Sequence, residues 1–378
     1  MTECLQLSAP SPVHIPMPDI ITVRGFLTPD STGSECGNAT ALSRRWPWRS
    51  RELSAPPGFP RRDDSLPELE AEGDFGWLDS DMDGFERIVL AGNSLDSAIY
   101  LSRIARLHLL AGGYRAAEAA GSAAYPHLSS GQGHCSEEAL FCEETLALAG
   151  FRSWGWTRTN EALADIALRS GRHLGPLSPQ TLRAVASRAA LASRIGVRPL
   201  AGELYAELVH RDISALGSSH RFTLADRICL ASEACLAGDR VFALGIARAC
   251  VAEAESVLGE FHPLRCMAMF CEGEILAAGG TFAEATSALS AAAELHLKVF
   301  GPDHERTLDC AGALAGSLYR SGHPDLAEKV LRKAVDDLEC RMDTCTREAE
   351  EAWERLLLMQ EEMGFTCIPG TPFRDSFA

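Results

Sequence analysis

Most of the features that would assign this chain a ready function are missing from it. No apolar run approaches the roughly 20 residues that cross a bilayer, and the N-terminus lacks the charged-then-apolar plan of a secretory signal. Basic residues are scarce: 35 Lys and Arg face 52 Asp and Glu, a net charge of −17 that weighs against a general nucleic-acid binder. None of the 13 cysteines pairs into a CxxC, and most stand among small apolar residues inside helical patterns, which fits a reducing compartment better than a disulfide framework. The chain is therefore read as soluble and cytoplasmic. There is no phosphate-binding glycine loop, no nucleophile elbow and no His–Cys or His–Asp set that would converge, so neither catalytic residues nor a cofactor or metal centre is expected. His134, Cys135 and Cys142 come nearest, and they read as a connector and the helix after it.

What is present divides at about residue 84. From Met1 to Leu66 the chain is rich in Pro, Ser and Gly, with ten of the 19 prolines at or before Pro67, and reads as disordered. A basic stretch around Trp46 and Trp48 gives way to an acidic one in which Asp74, Asp79, Asp81 and Asp83 surround Phe75, Trp77 and Leu78. Acids interleaved with large apolar residues suit a segment that docks on binding, although a solvated linker has the same composition. The run Asp79-Ser80-Asp81-Met82-Asp83-Gly84 copies the first half of a calcium loop. Its twelfth position is Leu90 where a bidentate Glu is needed, which counts against a calcium site.

Beyond residue 84 the same words return every 42 residues: Leu174-Gly175-Pro176, Leu216-Gly217-Ser218, Leu258-Gly259-Glu260 and Phe300-Gly301-Pro302. A second column, Gly112, Gly196, Gly238, Gly280, Gly322 and Gly364, keeps the register and is broken only at Trp154, beside Gly155. Seven residues before each of these stands a small residue, Ala105, Ala147, Ala189, Ala231, Gly273 or Ala315. Small side chains are what two helices of a hairpin need where they cross closely. Each unit reads as connector, first helix, glycine turn, second helix; the last full unit predicts helices over 306–320 and 324–338. Ser136, Ser178, His220, His262 and His304 share the position that caps the first helix, so the three histidines are read as cap or connector residues rather than metal ligands. The expected organisation is a disordered region 1–84, six repeats over 85–342, a capping helix 343–365 and a tail 366–378. Its fold class is all-α, a right-handed superhelical solenoid of antiparallel helix hairpins.

The internal spacing, with an apolar column at Ala124, Ile166, Leu208, Cys250, Ala292 and Ala334, resembles the tetratricopeptide repeat. The eight residues beyond its usual 34, in the form Phe300-Gly301-Pro302-Asp303-His304 followed by Thr307-Leu308, resemble the kinesin-light-chain subtype. Departures are plain: Ser187, Cys229, Cys271 and Ala313 stand where that subtype usually has asparagine, and Arg188 and Glu272 replace core leucines. No heptads of a motor-binding coiled coil precede Ala91. The resemblance implies a non-enzymatic protein-binding scaffold, with the first helix of each hairpin lining a concave groove.

In that register the groove positions are Arg106, Phe151, Arg152, Arg183, Ser193, Arg194, Phe270, Glu274, Tyr319 and Arg320. Five arginines on one face of an acidic chain point to an acidic peptide with an aromatic anchor, since guanidinium holds carboxylate bidentately. Arginines that merely pair with neighbouring glutamates are the competing reading. The acidic segment with Phe75, Trp77 and Leu78 is a possible ligand in cis. A helical-repeat reader of single-stranded nucleic acid, or a regulatory subunit of a larger enzyme, are the alternatives.

Overall fold

The computed structural model describes residues 95–110, 113–302 and 305–339. The expected disordered region 1–84 with Phe75, Trp77, Leu78 and the calcium-like run, the capping helix 343–365, the tail, and Gly112, His304 and Gly364 lie outside the described residues.

Among the described residues there are twelve helices and no strand: α1 (Leu95–Leu110), α2 (Tyr114–Gln132), α3 (Glu137–Ala149), α4 (Phe151–His173), α5 (Pro179–Arg194), α6 (Arg198–Leu216), α7 (Arg221–Leu236), α8 (Arg240–Leu258), α9 (Pro263–Ala278), α10 (Phe282–Val299), α11 (Glu305–Arg320) and α12 (Pro324–Glu339). The last two lie within one residue of the helices that the sequence predicts. None of the described helices is long and apolar enough to cross a membrane. The chain forms two compact units divided at Asp226 and Arg227, within α7. In the N-terminal unit α1/α2, α3/α4 and α5/α6 are successive hairpins; in the C-terminal unit α9/α10 and α11/α12 follow α8.

Four of the hairpin turns are closed by the same pair of backbone hydrogen bonds. At the end of α7 the amide of Gly238 donates to the Cys235 carbonyl at 3.0 Å and that of Asp239 to Ala234 at 2.9 Å, a Schellman pairing that needs a left-handed residue between them. Gly238 supplies it with φ 97°, a value that costs an L side chain but not glycine. The same geometry recurs at Gly196, Gly280 and Gly322. In the second hairpin the positive φ falls on Gly155 (75°), one residue late, and kinks α4. The displacement accounts for the break in the glycine column, because Trp154 is packed against Gly150, where even a Cβ would come within 2.8 Å of the indole.

The small column lies at the crossings. Ala105, Ala147, Ala189, Ala231 and Ala315 are at most 1% exposed. At Gly273 the facing side chain is Leu289, and an added Cβ would stand 2.5 Å from it. Around these crossings pack Leu101, Ile104, Ala120, Ala124 and Leu128 near the start of the N-terminal unit. Leu308, Leu314, Leu318, Ala327 and Leu331 do the same in the C-terminal unit. Both departures from core leucine find polar partners: Arg188 Nε donates to Asn160 Oδ1 at 2.8 Å, and Glu272 accepts from Arg248 Nε at 2.8 Å.

The connectors are fixed from the first helix that follows them. Ser136 and Ser178 accept the amides of Ala139 and Thr181 at 3.3 and 3.2 Å. His220 and His262 do the equivalent through Nδ1, accepting from Phe222 and Leu264 at 3.3 and 3.1 Å, so both act as caps. In three of the connectors a buried threonine reaches back six residues: Thr181, Thr223 and Thr307 donate to the carbonyls of Gly175, Gly217 and Gly301 at 2.9, 2.8 and 2.7 Å. In the fifth unit Arg265 stands in that column and donates instead to the Glu260 carbonyl at 3.0 Å. The threonine hydroxyl thus ties the connector to the helix it leads into. Replacing Thr307 with Val keeps the shape and removes the bond, so urea unfolding is expected to show a loss of about 0.5–1.5 kcal/mol, against no loss for Thr286→Val, whose hydroxyl has no partner among the described residues.

Candidate functional site

In the N-terminal unit the first helices meet through one buried carboxylate. Glu144 of α3 is fully buried and lies between α1 and α5. Arg106 Nη2 is 3.5 Å from one of its oxygens and Arg183 Nε 3.2 Å from the other. Ser187 and Gln180 donate to the same carboxylate at 2.7 and 3.0 Å. Above it the guanidinium groups of Arg103 and Arg183 stack on the Phe141 ring, 4.1 and 4.5 Å from its centroid. Arg103 is in turn held by both oxygens of Glu138 at 3.0 and 3.1 Å.

Burial alone would push the Glu144 carboxyl up, but Arg183 and Arg106, aided by the Ser187 hydroxyl, outweigh it and hold it below the usual carboxylate range. Arg183 feels the opposite balance. Burial brings it down to about 10 despite Glu144, with Arg106 and Arg103 adding like-charge repulsion, and it still carries its charge at neutral pH. None of the three guanidinium nitrogens of Arg106 finds a hydrogen-bond acceptor among the described residues, so it is held by the ion pair with Glu144, with the Phe141 ring centroid 5.9 Å away.

The ten groove residues expected from sequence therefore separate by environment. Arg106, Arg183 and Ser193 are buried, the two arginines committed to Glu144. Phe151 is half-buried, while Arg152 and Arg194 are exposed and form no ion pair among the described residues; Arg152 lies over the Tyr114 ring at 4.6 Å. Three members of the site that periodicity did not pick out are Arg103, Phe141 and Glu144, which face the seam between hairpins.

In the C-terminal unit Phe270 and Glu274 are buried on α9, and Tyr319 and Arg320 are exposed at the end of α11. Arg320 lies 5.6 Å from the Phe282 ring centroid. Glu274 has no hydrogen bond or ion pair among the described residues. Its carboxyl is pushed up to about 7, chiefly by burial and further by Asp309, with Arg320 opposing. The buried thiols of Cys266 and Cys271 are likewise raised by burial, both to about 12. No group of three His, Cys, Asp or Glu side chains among the described residues is placed to hold a metal ion.

Helix hairpins with small crossings, Schellman turns and a fixed register define a class, and residues 264–339, which span α9 to α12, match the tetratricopeptide repeat family model. Those two hairpins are tetratricopeptide repeats. Two similar solved structures are of the nearly identical TPR-like repeats of a kinesin light chain from Podosopora anserina. One, a single-substitution form, is 21% identical, with 56% of this chain and 99% of that chain covered and a TM-score of 0.48. The other is 20% identical, covering 55% and 98%, with a TM-score of 0.46. BtubC (BKLC) from P. vanneervenii is 11% identical over 69% of this chain and 95% of its own, with a TM-score of 0.49. No curated protein matches the chain.

The two buried carboxylates make opposite demands. Glu144→Ala leaves two arginines without their acid and is expected to cost about 3–5 kcal/mol in chemical unfolding. Glu274 binds its proton more tightly folded than unfolded, so its contribution falls as pH rises from the ordinary 4.5 through about 7. Glu274→Gln should accordingly raise stability above pH 7, on the order of 3 kcal/mol, and change little below pH 4.5; a stability gain independent of pH would contradict this assignment.

Proposed function

We propose that this chain is a non-enzymatic scaffold that binds acidic peptide segments with an aromatic anchor along the first-helix faces of its hairpins. One observation carries the reading. Arg152, on α4 ahead of its kink at Gly155, and Arg194, at the end of α5, stand one repeat apart in the same register, exposed and committed to no carboxylate among the described residues. The Tyr114 ring beneath Arg152 and the half-buried Phe151 beside it offer an apolar surface next to the charge. A guanidinium that lies on an aromatic ring keeps its donors for a carboxylate. In the C-terminal unit Arg320, Tyr319 and Phe282 repeat that combination. Arg106 and Arg183 contribute differently, as the buried support beneath the face, and Ser193, Phe270 and Glu274 complete the expected lining.

Tetratricopeptide repeats in 264–339 favour a protein partner over nucleic acid, and so does the net charge of −17. The acidic segment around Phe75, Trp77 and Leu78 has the composition of such a ligand, and we propose that it competes in cis. All eight described cysteines are free and seven are buried, in keeping with a cytoplasmic setting.

Fluorescence anisotropy of the full chain with a labelled peptide of aspartates around one tryptophan tests the reading. The double variant Arg152→Glu, Arg194→Glu should lose about tenfold or more in affinity, roughly 1.4 kcal/mol, with helical circular dichroism unchanged. Arg172→Glu, an exposed arginine on α4 away from this column, should change it little; equal losses in both would reduce the effect to bulk charge. Deleting residues 66–83 should tighten binding, and unchanged affinity removes the cis ligand.

A further inference from the structure

The register that places Glu144 between two arginines in the N-terminal unit places an acid without a partner in the C-terminal one. Glu274 stands four repeats beyond Arg106, in the same column of the first helix. Glu144 stands to Arg106 as position 312 stands to Glu274, and position 312 is Gly312. The counter-charge that the first hairpins carry within the chain is therefore replaced by a residue with no side chain. One turn on along α11 is Gly316, which again puts no side chain on that face, whereas Asp309, one turn back, adds a second acid.

Glu274 is 6% exposed and has no hydrogen bond or ion pair among the described residues. The groups that act on it are Asp309 and, in the opposite sense, Arg320 from α11. The thiols of Cys235 on α7, Cys271 on α9 and Cys310 on α11 also feel its charge, and burial keeps each of them protonated. Arg320 is a poor counter-ion, since it is exposed at the helix end and lies on Phe282. A buried carboxylate left without a partner is costly, and a cation that reaches it with good geometry offsets part of that cost.

We propose that Glu274 and Asp309, across the glycine face of α11 and beside Phe270, bind a lysine or arginine side chain of a protein partner. The site is separate from the arginine column and asks for the opposite charge.

The probe is a set of random octapeptide pools that share one fixed central residue, Lys, Arg, Gln or acetyl-lysine, captured on the immobilised full chain. The Lys and Arg pools should be retained about tenfold over the Gln and acetyl-lysine pools at pH 8, a difference of roughly 1.4 kcal/mol. The preference should shrink at pH 6, where Glu274 takes up its proton. Glu274→Gln and Asp309→Asn should each abolish it, and Asp309→Asn, which lies outside the expected peptide lining, should leave the acidic tryptophan peptide bound as before. Retention of basic pools is also what any strongly acidic protein would give, so a preference that survives in both variants overturns the proposal. Equal retention of Lys and acetyl-lysine pools by the unaltered chain overturns it too. Both substitutions preserve shape; should one fail to fold, the other carries the test, with thermal unfolding as the check. Failure here leaves the arginine column untouched, because its peptide and its variants are different.

Discussion

Close approach of helices at positions without bulk is the constraint on which the other features of the structure rest. The column Ala105, Ala147, Ala189, Ala231, Gly273 and Ala315 sits where the two helices of each hairpin cross. Where that distance is short, the turn between the helices must also be short, and the left-handed glycine with its Schellman bonds provides it. The connector to the next hairpin then has little freedom left, and the threonine that reaches back to the connector glycine removes most of what remains. Packing in such a structure is local in sequence, so each hairpin depends chiefly on its neighbours.

A fixed register also decides what happens to charge. Side chains in one column of the first helices meet the next hairpin in the same way every time, so whether a buried ion is satisfied turns on which residue the sequence supplies 38 or 39 positions further on. Arg106 meets Glu144, which meets Arg183, and the three together hold the carboxylate ionised. For Glu274 the position 38 residues on is Gly312, Asp309 adds a like charge, and burial drives the carboxyl toward the neutral form. The difference between a structural ion network and an unfilled electrostatic position is thus one of sequence at a few sites, on a backbone that is otherwise the same.

The architecture was legible in the sequence because period and glycine are backbone properties. Helix bounds near 306–320 and 324–338, the cap role of His220 and His262 and the small crossings all follow from residues whose effect is local. The late turn at Gly155 was visible only as a break, since the cause is the Trp154 ring against Gly150, a contact between side chain and turn that spacing does not encode. The arginines were the harder case. Periodicity placed Arg106 and Arg183 on one face with Arg152 and Arg194, yet that face is both seam and surface, and a glutamate such as Glu144 reads as exposed until its two neighbours are seen beside it. The signal that was available is the 38- and 39-residue separation of opposite charges, close to one repeat. The region before residue 85 and the helix expected at 343–365 lie outside the described residues.

The buried thiols have one more consequence. Cys142, Cys250, Cys266 and Cys271 are each pushed by burial to about 12, so at neutral pH almost none of any of them is thiolate, the form that alkylating reagents attack. Cys142 sits on α3, Cys250 on α8, and Cys266 and Cys271 share α9, so the four report on three hairpins, and each becomes reactive when its own hairpin opens. Alkylation kinetics followed cysteine by cysteine would then time the breathing of individual repeats, giving a clock already distributed along the chain.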